Sequence, residues 1–154
     1  MNTQALLNTL ARARSAIGHG ITYHLGEGGV DPKAALPTDD GRCDCSGFVA
    51  WCLQISRVPK PSRDWWVQTD NIWHDAMGPQ TTFVRIEKPI AGCVVVYPKI
   101  GSHDGYGHTG IVANPANPYT VVDCSASKNG IFEHVQNAFE ANPHTIFCIL
   151  KQDA

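Results

Sequence analysis

The second half of the chain, residues 81–151, contains short apolar segments that predict β-strands. Five of these segments are rich in β-branched and aromatic residues, and Gly, Pro, Asn or Asp bounds each one. They are Cys93–Tyr97, Thr109–Ala113, Tyr119–Cys124, Gly130–Val135 and Thr145–Leu150. Short connections favour antiparallel pairing of strands that follow one another. We therefore expect an antiparallel meander of about five strands.

Residues 1–80 combine helical patterns with loops rich in Gly, Pro and Asp. Apolar residues recur at steps of three and four near the start of the chain, which predicts an amphipathic helix. They are Leu6, Leu7, Leu10, Ala13 and Ile17. A second helix that buries one side is expected over residues 45–56, with Asp44 as its N-cap, and residues 64–77 predict one more helix or two short ones. The fold class is α+β, with the helices packed on the later sheet.

The length and charge of the chain exclude several classes of protein. Its 154 residues fit a single domain, 1–154. The formal net charge is −2 and no run of like charge occurs, so we expect no nucleic-acid partner. No apolar run approaches the roughly 20 residues of a membrane span. The N-terminus lacks the layout of a secretory signal, which predicts a cytoplasmic protein or export by another route.

Six cysteines are many for this length, but without a signal peptide we expect reduced thiols. Cys52, Cys93 and Cys148 lie within apolar segments and are interpreted as core residues. Cys43 and Cys45, followed by Cys52, do not have the spacing of a zinc site. We therefore expect no metal and no cofactor.

The segment Asp44-Cys45-Ser46-Gly47-Phe48 places a cysteine at the start of a helix. Unpaired backbone N–H groups and the helix dipole favour a thiolate there, and the same N–H groups suit a developing oxyanion. Gly47 removes a side chain where a substrate backbone would approach. The alternative, that Cys45 is one more buried cysteine, carries equal weight on this argument alone.

A thiolate nucleophile needs a base and a group that orients the base. His108 begins a predicted strand between Gly107 and Gly110, with His103 as the nearest rival, and Asp123 lies on the strand expected to pair with it. An acidic residue within an apolar strand needs a partner if it is buried. The alternative for His108 is a solvent-facing turn histidine, and the alternative for Asp123 is a solvent-facing residue at a strand end. A one-residue slip in register would turn Asp123 to the opposite face.

These motifs resemble the NlpC family of papain-like cell-wall peptidases. The resemblance rests on DCSGF at a helix start, AGCVVVY and GHTGIV, and it covers about residues 20–125. Tyr23 resembles a tyrosine that lines the family's site, and the glycines after it match the family's loop. The resemblance implies Cys45 as nucleophile, His108 as base and a third residue at or near Asp123. Two positions depart from the family: Cys93 stands where Asp is frequent, and the third residue is commonly His.

The resemblance implies a substrate, which is the peptide of peptidoglycan. We expect hydrolysis of an amide bond in a stem peptide, often between D-glutamate and the diamino acid. The residues expected to line the substrate site are Tyr23, Asp44, Ser46, Gly47 and Gly107. Such a chain would act at the bacterial cell wall after export, injection or phage-mediated release, and whether it has an immunity or delivery partner stays open. The alternative hypotheses are an acyltransferase and a catalytically silent binding module on the same scaffold.

Overall fold

The computed structural model describes residues 1–154 as an α+β fold, as predicted. Four helices are present: α1 (Thr3–Ser15), α2 (Cys45–Cys52), α3 (Thr69–Met77) and α4 (Asn137–Ala141). The strands are β1 (Thr22–Tyr23), β2 (Arg42–Cys43), β3 (Phe83–Ile86), β4 (Val94–Tyr97), β5 (His108–Val112), β6 (Thr120–Ser125), β7 (Gly130–Val135) and β8 (Ile146–Leu150). A short 3₁₀ helix, Lys151–Asp153, ends the chain.

Six of the strands form one antiparallel sheet in the order β3-β8-β4-β5-β6-β7, and β1 and β2 form a separate parallel pair. Strands β4 to β7 are the predicted meander, and their bounds agree with the prediction to within a residue. The expectation that all five strands would pair in sequence was wrong for β8. Strand β8 pairs with β4 on the side away from β5. Its other edge pairs with β3, an edge strand that the sequence did not predict.

Helix α2 is buried on all sides, which corrects the expectation of one exposed face. All eight of its residues are buried, because the sheet covers one side and the loop from Gly26 to Pro37 together with α1 covers the others. The helix also ends earlier than predicted, at Cys52, and Gln54 then adopts a left-handed backbone with φ of 58°.

The other helices follow the predicted pattern in part. In α1, Leu6, Leu10 and Ala13 are buried, whereas Leu7 is 46% exposed. Helix α3 begins at Thr69, so the residues from 64 to 68 are loop rather than helix. None of the four helices is long and apolar enough to cross a bilayer.

The sheet is covered on both faces, and this places α2 beside β5. The larger core lies between α1, α2, α3 and one face, where Phe48, Ile111 and Val122 pack together. The smaller core lies on the opposite face, where α4 contributes Phe139. Helix α2 contacts both β5 and β6, and its first residue, Cys45, acts on the pKa of His108, the first residue of β5.

Candidate active site

Cys45 is the first residue of α2, and its position is fixed by the capping residue before it. The Asp44 carboxylate accepts a hydrogen bond from the Gly47 backbone N–H at 2.8 Å, as an N-cap should. The cap leaves the N–H groups of Cys45 and Ser46 without a protein partner. Two donors and the positive end of the helix dipole therefore lie beside the thiol.

A buried ion pair locks this helix terminus in place. Asp44 accepts hydrogen bonds from both terminal nitrogens of Arg57, at 2.9 and 3.2 Å, and both side chains are about 95% buried. Arg57 also donates to the carbonyl oxygens of Glu27 and Gly28 and to the Ser46 hydroxyl. No sequence pattern indicates Arg57, because its contacts depend on the path of a loop that brings it back over α2.

The glycines that follow Tyr23 allow that loop to lie directly on α2. Gly28 and Gly29 have positive φ, and a Cβ on Gly29 would lie 2.2 Å from the Gly47 carbonyl oxygen. A Cβ on Gly47 would lie 2.7 Å from the Gly28 carbonyl oxygen and from Arg57. Gly47 is thus required by packing between the helix and this loop, and it is buried rather than open to a substrate chain.

His108 and Asp123 lie on one face of the sheet and are hydrogen-bonded to each other. The His108 Nε2–H donates to Asp123 Oδ2 at 2.6 Å, and the Asp123 side chain is completely buried. The register of β5 with β6 pairs Ile111 with Val122, which places Asp123 next to Gly110. A Cβ on Gly110 would lie 3.1 Å from that of Asp123, so the glycine leaves room for the carboxylate to reach His108.

The Cys45 side chain is the second group that acts on the His108 imidazole. Burial lowers the pKa of His108, but hydrogen bonds and negative charge from Asp123 and Cys45 outweigh it and raise the pKa to about 10. Burial likewise opposes ionisation of Asp123, yet the hydrogen bonds from His108 and His134 lower its pKa. Since Asp123 binds Nε2, Nδ1 is the ring nitrogen left for Cys45.

Aromatic side chains hold the imidazole from its other sides. The Phe139 ring of α4 lies 5.2 Å from the His108 ring between centroids, and the Tyr97 ring lies 6.3 Å away. Burial, with nearby negative charge, raises the pKa of Tyr97 to about 12, so its hydroxyl stays protonated near neutral pH. His103, the rival to His108, is exposed in the loop before β5.

His134 is the functional candidate that the sequence interpretation did not assign. Its Nε2 lies 2.6 Å from Asp123 Oδ1, so that the carboxylate lies between two imidazoles. On β7, His134 is paired with Val121, which shares a face with Asp123. The alternation of β7 alone could not reveal this contact, because it follows only from the register between β6 and β7.

An open cleft runs across the start of β5. One cavity of about 430 Å³ borders His108, and a second of about 350 Å³ borders Cys45. Both are lined by the same four residues, which form the middle of the cleft: Tyr23, Leu25, Tyr106 and Gly107. Burial, with nearby negative charge, raises the pKa of the half-buried Tyr23, so its hydroxyl remains a donor.

The remaining predicted lining residues are mostly part of the framework. Asp44 and Ser46 border the cavity at Cys45 but are 3% exposed, and both bind Arg57. Gly107 lies at the cleft, and a Cβ there would lie 2.3 Å from the Thr69 hydroxyl, so the glycine brings α3 close to β5. No group of three His, Cys, Asp or Glu side chains is arranged to hold a metal ion.

The comparisons with known proteins agree with this geometry. The family model of the CHAP domain matches residues 37–125, which is more than half of the chain and includes Cys45, His108 and Asp123. The chain belongs to the CHAP domain family. This domain is found in NlpC/P60-like and amidase families of cysteine peptidases and hydrolases, so the predicted relationship to papain-like peptidases is confirmed. The family indicates a peptidoglycan hydrolase or amidase. Comparison with curated proteins gave no significant match.

Proposed function

We propose that this CHAP domain is a cysteine hydrolase that cleaves an amide bond in peptidoglycan stem peptides. Cys45 is the nucleophile, His108 the general base and Asp123 the residue that orients His108. One observation carries the proposal: a single imidazole binds a buried carboxylate through one nitrogen, and its pKa is raised by that carboxylate together with the helix-terminal Cys45. That is the arrangement in which a thiol is activated by a base whose tautomer is fixed.

The proposed reaction begins from a Cys45 thiolate and a His108 imidazolium, in which the proton of the thiol resides on His108 Nδ1, in line with the raised pKa of His108. The thiolate attacks the carbonyl carbon of the scissile amide, and the resulting oxyanion is bound by the N–H groups of Cys45 and Ser46 at the start of α2. The imidazolium then protonates the leaving amine, and an acyl-thioester remains on Cys45. Water, deprotonated by His108, attacks the thioester and releases the carboxylic acid and the thiol.

Asp123 supports each proton transfer without accepting a proton itself. The bond between its carboxylate and the Nε2–H of His108 keeps the proton on that nitrogen, so Nδ1 is free to act as base. The carboxylate also stabilises the imidazolium, in line with the raised pKa of His108. By the family resemblance, the bond between D-glutamate and the diamino acid is the proposed point of cleavage.

We also propose that residues 1–154 form one catalytic domain. Residues outside the segment matched by the family model contribute to the same two cores, among them Leu10 of α1, Phe139 of α4 and Cys148 of β8. Tyr23, which lines the cleft, and His134, which binds Asp123, also lie outside that segment.

The decisive experiment is incubation of purified sacculi with the protein, followed by mass spectrometry of the soluble products. We expect release of peptides or muropeptides with a newly formed amine and carboxylate, and no release by Cys45→Ala. The matched control is Cys52→Ala, which removes a core thiol and should lower stability while leaving turnover.

Other outcomes of this experiment identify the alternatives. Products joined to an added amine acceptor would indicate an acyltransferase, and binding to sacculi without any cleavage would indicate a silent binding module. Full activity of a folded Cys45→Ala variant would exclude the proposed mechanism.

A further inference from the structure

We propose that His134 is a positioning residue that holds the Asp123 carboxylate in the orientation that His108 requires. The proposal rests on the proposed function, since it assigns His134 a part in the catalysis by Cys45 and His108. His134 acts through Asp123 and makes no contact of its own with the reacting thiol.

The two oxygens of Asp123 are divided between the two histidines. Oδ2 accepts from His108 and Oδ1 from His134, each at 2.6 Å. A carboxylate held by one hydrogen bond can turn about its Cβ–Cγ bond and exchange its oxygens. With both oxygens engaged on opposite sides, the plane of the Asp123 carboxylate is fixed, and so is the line from Oδ2 to His108 Nε2.

His134 is needed most when His108 is neutral. A buried carboxylate is costly without donors, and Asp123 has no exposure to water. Once His108 has protonated the leaving amine, Asp123 no longer faces an imidazolium. The Nε2–H of His134 still donates to Oδ1 at that stage, which keeps Asp123 ionised and the remaining His108 proton on Nε2.

No other group near Asp123 can replace this contact. The Gln136 side-chain amide is 3.5 Å from Oδ2, at the limit of a hydrogen bond, and it approaches the oxygen that His108 already uses. His134 itself makes no other hydrogen bond through its side chain, and β7 is an edge strand of the sheet. The bond to Asp123 Oδ1 is therefore the one contact through which the His134 side chain can act.

The test compares three variants of the full chain. His134→Leu removes the donor, whereas His134→Gln keeps an N–H donor at nearly the same distance from the backbone. Glu133→Gln is the matched control, because it lies next to His134 on β7, on the opposite face, and loses only an exposed ion pair with Arg14. Each variant is measured for kcat and KM on sacculi, for the alkylation rate of Cys45 by iodoacetamide, and for the NMR resonance of the His108 Nε2 proton.

We expect His134→Leu to lower kcat about 10- to 100-fold with little change in KM, as when a partner that orients a functional group is lost. Its His108 proton resonance should shift or broaden, and Cys45 should be alkylated more slowly. His134→Gln should recover most of the loss in kcat, and Glu133→Gln should match the wild type in all three measurements.

Several results would overturn the proposal. These are a folded His134→Leu variant with wild-type kcat and an unchanged His108 resonance, a His134→Gln variant as impaired as His134→Leu, or an equal loss in Glu133→Gln. If the wild type does not cleave sacculi, the proposed function fails. The alkylation and NMR measurements still decide the role of His134 in that case, because neither needs a substrate.

Discussion

The six thiols of this chain lie in very different surroundings, although all six are buried. Cys45 is 5% exposed and borders the cleft, whereas the other five are 0–1% exposed. Burial raises the pKa of Cys52 and Cys148 far above the usual value and that of Cys93 to about 12. The Cys43 side chain, together with burial, raises the pKa of Cys124. Only Cys45 both borders the cleft and acts on the pKa of the His108 imidazole.

We therefore predict that iodoacetamide at neutral pH modifies Cys45 before any other cysteine. Peptide mapping by mass spectrometry after brief labelling measures the order directly. His108→Gln should slow the labelling of Cys45 and leave the slow labelling of Cys52 unchanged, since Cys52 has no contact with the imidazole. Faster labelling of Cys43 or Cys124 in the wild type would contradict the assignment of the nucleophile.

The candidate residues that the sequence indicates are those whose placement depends on their own element. Cys45 follows a capping residue, and His108 begins a strand between glycines, so both positions are visible locally. Asp123 required the further assumption that β5 and β6 pair in one particular register, and the observed register provides it. His134 and Arg57 were missed because each acts across elements: His134 by the register of β7, and Arg57 by a loop that returns over α2.

At the scale of elements, the N-terminus of α2 is held more firmly than a helix cap alone would hold it. The loop carrying Gly28 and Gly29 lies on the helix, and Arg57 joins the loop to Asp44 from within the core. The ion pair is shielded from water, so removal of one partner leaves a charge that is buried and unpaired. This makes the arrangement costly to disrupt, and it fixes the helix end at which Cys45 lies.

A comparison of two ion pairs tests how much the Arg57–Asp44 pair stabilises the fold. Arg57→Met should lower the free energy of unfolding by about 3–5 kcal/mol, the usual loss when a buried pair is broken. Arg14→Met removes the exposed pair with Glu133 and should cost about 0–1 kcal/mol. Urea unfolding followed by circular dichroism measures both values. Equal effects of the two substitutions would show that the Arg57–Asp44 pair does not stabilise the start of α2.

The sequence did not predict two elements with weak local patterns, and it did not predict the position of one strand in the sheet. Strand β3 lies at an edge, where Phe83 is its one fully buried residue, and α4 has only five residues. The position of β8 between β3 and β4 is a matter of topology, which the strong apolar pattern of β8 does not encode. The four strands of the meander were found because turn signals and β-branched residues coincide there.

At the scale of the whole molecule, the two layers on the sheet meet at the candidate site. Helix α2 brings Cys45 from one face, and α4 covers His108 from the other with Phe139. The segment matched by the CHAP family model ends at Ser125, before β7, α4 and β8. The structure around His108 and Asp123 is thus completed by elements beyond the matched segment, so truncation at that point would remove His134 and Phe139 together.

The stability of the whole fold should depend on pH through the pair of His108 and Asp123. The pKa of His108 is raised from 6.5 to about 10, so its contribution is complete below about pH 6.5 and is lost as pH rises towards 10. The pKa of Asp123 is lowered, so its contribution is present above about pH 4 and is lost at lower pH. Burial raises the pKa of Tyr97 and that of Cys93 to about 12, outside this range.

We expect Asp123→Asn to lower the melting temperature most between about pH 4 and 6.5, with the difference from wild type shrinking towards pH 10. Thermal unfolding in reducing buffer at intervals from pH 4 to 10 measures this difference, with Asp39→Asn as the exposed control. A difference that stays constant with pH would show that the hydrogen bond between Asp123 and His108 does not link protonation to folding.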